Sequence, residues 1–90
     1  MNNSFQNAIN SQKKYHVRII WNYGTEEILF DTMVRTYLYS ISLGLNEDVV
    51  KDISYDDIQR IEIHASKFPY KENTPYLYIY LKQTYASNTN

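Results

Sequence analysis

Pro75-Tyr76-Leu77-Tyr78-Ile79-Tyr80-Leu81-Lys82 alternates strictly between aliphatic and phenolic side chains. Successive residues of an extended strand point to opposite faces, so Leu77, Ile79 and Leu81 share one side and Tyr76, Tyr78 and Tyr80 the other. The stretch predicts a β-strand with a core face and a tyrosine face. Pro75 stands at its start, where a missing backbone N–H costs least.

Residues 15–23 repeat the alternation, with Tyr15, Val17, Ile19, Trp21 and Tyr23 on one side and His16, Arg18, Ile20 and Asn22 on the other. Gly24 tolerates positive φ, so Asn22-Tyr23-Gly24-Thr25 predicts a turn and Glu26–Phe30 the returning arm of a hairpin. Residues 31–43 admit two readings. Val34, Leu38, Ile41 and Leu45 recur at helical spacing, with Asp31 available as a cap. Against that, Val, Thr, Tyr, Ile and Ser dominate 32–43 and no Ala, Glu, Lys or Gln occurs there, which favours strand.

Beyond this stretch, Gly44–Asp48 reads as a turn, Val49–Ser54 as a short strand and Tyr55–Ile58 as a single helical turn. Arg60–Ala65 reads as a strand with Ile61, Ile63 and Ala65 inward and Glu62 and His64 outward. Ser4–Gln12 carries Phe5, Ala8 and Ile9 on one face and predicts a short helix capped by Ser4. Lys67–Thr74, with Pro69 and Asn73, predicts an exposed loop.

The expected fold is mainly β: a small, strongly bent barrel or sheet of five to six strands with a short N-terminal helix. The alternative is an α+β two-layer ββαββ fold with a helix at 31–43. The expected organisation is a flexible segment over 1–12, one β-rich domain over 13–83 and a disordered tail over 84–90. A domain of this size buries only roughly 60% of the surface its unfolded chain exposes, so added burial at an interface would help it.

Nine basic against ten acidic side chains give a net charge of −1, which lacks the electrostatic footprint of a non-specific nucleic-acid binder and offers little self-repulsion against oligomers. The chain has no cysteine, which excludes disulfides and thiolate chemistry. Apolar runs such as Ile19-Ile20-Trp21 fall far short of a membrane span, so a cytoplasmic location is expected. Plentiful Asn, Ile, Lys and Tyr with only two Gly and two Pro match small proteins of phages and plasmids.

The order of elements, and the phrase Ile53-Ser54-Tyr55-Asp56-Asp57-Ile58-Gln59-Arg60-Ile61-Glu62-Ile63, resemble the small Sm/SH3-type barrels of bacteria. The opening Phe5, Ala8, Ile9, Val17, Arg18, Ile19, Trp21 and Gly24 is similar to the start of YolD-like and WYL-type domains. The resemblance spans residues 5–63 and implies a fold class. YolD-like proteins are regarded as accessory factors around DNA repair polymerases, and WYL domains as ligand or nucleic-acid sensors. The chain departs from WYL domains in lacking that tripeptide. Its strand at 76–82 is one more than a five-stranded barrel needs.

Ten tyrosines are present. Tyr76, Tyr78 and Tyr80 offer rigid amphipathic area of the kind enriched at binding surfaces; equally, they suit the cover of a thin sheet or cross-strand pairing with Tyr37 and Tyr39. Glu47, Asp48, Asp52, Asp56 and Asp57 form an acidic segment that reads as a solvated edge or as a steering surface for a basic partner. Lys13, Lys14, His16 and Arg18 form a small basic patch, complementary to that segment on a second copy. His16 and His64 lack further ligands for zinc, and no nucleophile motif or phosphate loop occurs, so no metal, cofactor or enzymatic activity is expected.

The sequence therefore predicts a non-catalytic protein-interaction module, an accessory factor or small inhibitor, binding a protein partner or itself. The expected contacts are Tyr76, Tyr78 and Tyr80 with Asp56, Asp57, Glu47 and Asp48. The alternative is a small nucleic-acid-binding barrel that stacks bases on the tyrosines.

Overall fold

The computed structural model describes Ile9 and residues 13–22, 24–45, 48–65 and 74–82. Six strands follow one another: β1 (Lys14–Trp21), β2 (Thr25–Thr36), β3 (Ser40–Leu45), β4 (Asp48–Ser54), β5 (Ile58–His64) and β6 (Tyr76–Leu81). They form one mixed sheet in the order β4-β3-β2-β1-β6-β5. The β1–β6 pair is parallel and the other neighbours are antiparallel. The mainly β expectation holds, but the sheet is not closed, because β4 and β5 end it on either side.

The alternation that defines β6 also fills the core. Val17 and Ile19 of β1 lie beside Leu77 and Ile79 of β6 in register. With Val34, Ile41 and Leu43 they are the largest fully buried side chains, each contributing roughly 1.5–3 kcal/mol by leaving water. Tyr15, Ile53, Tyr55, Ile58, Leu81 and Ile9 complete the cluster, and Trp21, Leu29 and Ile61 pack against it.

A bulge bends β2. Tyr15 opposes Thr32 and Val17 opposes Leu29, so Phe30 and Asp31 together face the single residue His16. Asp31 has φ 50° and its N–H donates to His16 Nδ1 at 3.2 Å. β1 pairs with β2 on both sides of the bend, as far as Lys14 opposite Met33, and Met33–Thr36 pairs with β3 on the other edge of β2.

Residues 31–43 are extended, so the helical alternative is not adopted. Val34, Ile41 and Leu43 are fully buried, whereas Leu38, which helical spacing would group with them, is 60% exposed at the β2–β3 turn. That turn is held firmly. Tyr37 N–H donates to Ser40 O at 2.8 Å, Tyr55 N–H to Tyr39 O at 3.0 Å, and the buried Tyr55 hydroxyl to Tyr37 O at 2.7 Å.

Tyr55–Asp57 is the expected tight turn, a single 3₁₀ turn in which the Asp56 amide is capped by Ser54 Oγ at 3.1 Å. It joins β4 to β5, the two outermost strands, and is tied to the end of β6 by Lys82 N–H donating to Asp57 O at 2.9 Å. Among the described residues there is no α-helix. The helix expected over Ser4–Gln12 and the loop over Lys67–Thr74 fall largely outside them. Ile63, expected inward, is 41% exposed, because no described strand lies beyond β5 to cover it.

Candidate functional site

The strand register assembles a four-column array on the face opposite the core. Its first row runs from His16 through Tyr76 to His64, with Phe30 of β2 edge-on to the His16 ring at 5.2 Å between centroids. The second row is Ile28, Arg18, Tyr78 and Glu62; the third is Glu26, Ile20, Tyr80 and Arg60. The three tyrosines are its third column. Along β6, Tyr76, Tyr78 and Tyr80 are each half-buried while Leu77, Ile79 and Leu81 are buried. The rings are thus accessible on one side of a strand whose other side is sealed.

Neighbours hold each ring in place. Arg18 lies over Tyr78 at 4.9 Å and donates from Nη1 to its hydroxyl at 3.0 Å. The Arg60 guanidinium stacks on Tyr80 at 3.8 Å. His64 lies 4.5 Å from Tyr78, and Tyr76 and Tyr78 meet edge-on. Such contacts fix rotamers, so the surface would lose little side-chain freedom on binding.

Carboxylates pin both arginines. Arg18 forks onto Glu26, Nε at 2.7 Å and Nη2 at 2.6 Å from its two oxygens. Arg60 Nε donates to Glu62 Oε2 at 3.0 Å, and His64 Nε2 donates to Glu62 Oε1 at 3.0 Å. The bond to Glu26, then that to Tyr78, raises the Arg18 pKa, and the bond to Glu62 raises that of Arg60. The Glu62 carboxyl is held below the ordinary glutamate value, first by His64 and then by Arg60. The two guanidinium groups and the two carboxylates of the array balance one another in charge.

The acidic segment is less uniform than its sequence suggests. Asp52 accepts a hydrogen bond from the Ser42 hydroxyl at 2.8 Å, and Lys51 pairs with Glu27 at 3.2 Å. Asp56 is exposed and Asp57 half-buried on the 3₁₀ turn, which lies past the Tyr80 end of the row rather than alongside it. Asp48 opens β4 opposite Leu45, and Glu47 lies outside the described residues. The basic patch does not form as read, because His16 is 6% exposed beneath Phe30 and Tyr76, and Arg18 is neutralised by Glu26.

Two features went unread in the sequence. One is the arginine–glutamate framework around the tyrosines, which requires the β1–β6 and β5–β6 registers. The other is the β2–β3 turn, where Tyr37, Leu38 and Tyr39 are 51%, 60% and 69% exposed. β6 pairs with β1 and β5, so Tyr37 and Tyr39 are not cross-strand neighbours of its tyrosines. A hollow of about 250 Å³ opens beside the third row, between Trp21, Ile20, Tyr80 and Arg60. Among the described residues, no group of three or more His, Cys, Asp or Glu could hold a metal ion, and no helix is long and apolar enough to cross a membrane. No protein-family model, curated protein or solved structure matches the chain.

Proposed function

We propose that this chain is a non-catalytic protein-interaction module that docks a protein partner on the outer face of β1, β5 and β6. The observation that carries this reading is the row Tyr76, Tyr78 and Tyr80, half-buried and braced by Arg18, Arg60 and His64 on the side of β6 away from the core. Tyrosine and arginine are enriched among the few side chains that dominate binding energy at protein interfaces, and bracing lowers the entropy cost of using them. The hollow beside Tyr80 accommodates one anchoring side chain of the partner. Asp56, on the neighbouring turn, steers a partner with basic residues at its rim. A module of this size acts as an accessory factor or inhibitor by covering a surface of the protein it binds.

A second reading, base stacking on the same row, draws support from Arg18 and Arg60 on the tyrosine rings. Charge disfavours it: each guanidinium already serves a carboxylate, so little positive potential remains for phosphates.

The test is affinity capture from the lysate of the source cell, with the wild type and a Tyr78→Ser, Tyr80→Ser variant of unchanged circular dichroism. The proposal expects a protein held by the wild type and lost by the variant. Equal capture by both overturns it. Salt-sensitive binding of a single-stranded oligonucleotide at about 50 mM salt, lost in the same variant, would instead favour the second reading.

A further inference from the structure

We infer that the outer edge of β5, the last of the described strands in sheet order, is a self-complementary dimer seam, with a second copy of this chain as its occupant. β5 pairs with β6 on one side and ends the sheet on the other, leaving one row of main-chain groups without a described strand partner. Such an edge is a template for another strand. A two-fold axis perpendicular to the sheet pairs β5 with itself antiparallel, and paired residues must then share a face, so the axis passes through one residue opposite its own copy.

Charge selects which residue. An axis through Arg60 sets arginine against arginine, and one through Glu62 sets glutamate against glutamate. Arg60 already bonds Glu62 of its own strand. An axis through Ile61 sets that pair against its own copy, Arg60 facing Glu62 twice over, so the four groups alternate in sign around Ile61 and its copy. An axis through Ile63 gains only His64–Glu62 pairs and runs off the end of the strand. Ile63, 41% exposed at this edge, gains cover from the second copy when the axis passes through Ile61. The other edge offers no equivalent at its described side chains, since an axis through Lys51 opposes two lysines and one through Asp52 two aspartates.

The bulge between Ile58 and Arg60 shortens the regular part of the seam. A contact of this size gives a concentration-dependent dimer, with a dissociation constant on the order of 0.1 mM. The dimer joins the two tyrosine arrays into one continuous face across the two β5 columns. The inference concerns the edge of the sheet and stands whether or not the tyrosine row binds a partner.

Sedimentation equilibrium tests it with Arg60→Glu, Glu62→Arg and their mixture, all with wild-type circular dichroism. Each single variant places like charges opposite one another twice and weakens dimerisation about ten-fold or more. In an equimolar mixture the two acidic positions of one variant face the two basic positions of the other, so the mixed dimer recovers the wild-type affinity. A wild type that stays monomeric at about 1 mM, or a mixture no better than its components, overturns the inference. Amide exchange of the wild type gives a variant-free check: amides within Arg60–His64 gain protection between dilute and concentrated samples, and unchanged protection counts against the seam.

Discussion

The tyrosine row of β6 and the turn between β2 and β3 both display aromatic rings to solvent, yet they are built in opposite ways. In the row each ring is clasped by neighbours across two strand pairs. At the turn the clasp is on the backbone, through Tyr55, while Leu38 and Tyr39 project with most of their surface exposed. Accessibility alone therefore does not rank binding surfaces. A braced ring is pre-organised and also supports its neighbours, whereas a projecting ring on a braced turn contributes little to the fold that carries it.

The largest effect expected from this contrast lies at the brace of the turn. Tyr55→Phe removes the buried hydroxyl bonded to Tyr37 O and costs about 1–2 kcal/mol in urea unfolding, with faster amide exchange confined to residues 37–40 and 55–57. Arg18→Ala comes next, at about 1 kcal/mol, since it loses a partly exposed fork onto Glu26 and the stacking on Tyr78. Leu38→Ser and Tyr39→Ser change stability by no more than about 0.5 kcal/mol. A larger loss at either would mean that the turn packs against the fold after all.

The smallest effect is on acid stability. The Glu62 carboxyl has a lowered pKa in the folded chain, so its contribution is fully present above the ordinary glutamate value and disappears as pH falls through the lowered one. Melting temperatures of the wild type and Glu62→Gln therefore differ slightly at about pH 6 and converge in acid below the ordinary glutamate range. A gap that widens in acid would reverse the assigned sign.

Much of the inner layer was legible in the sequence because β1 and β6 alternate without interruption, which fixes Val17, Ile19, Leu77, Ile79 and Leu81 as core and the tyrosines as their opposites. The parallel pairing of those strands was not, since His16 and Tyr76 lie far apart in the chain and nothing local sets their register. The turn at Leu38-Tyr39 was hidden for another reason. Among the described residues only Asn22, Asp31 and Gly24 have positive φ, so this turn demands neither Gly nor Asn and leaves no punctuation in the sequence. Asp31 misled in the same way, reading as a helix cap while serving as the bulge that bends β2. Alternation likewise placed Ile63 inward but could not tell that β5 would end the sheet.

Urea unfolding of Tyr78→Ser beside Ile79→Ala compares adjacent residues on the two faces of β6. Ile79 is fully buried and its truncation is expected to cost about 2–5 kcal/mol, whereas Tyr78→Ser is expected to cost about 1 kcal/mol and leave the fold intact. A loss at Tyr78 as large as that at Ile79 would contradict a strand whose tyrosine face is kept for recognition.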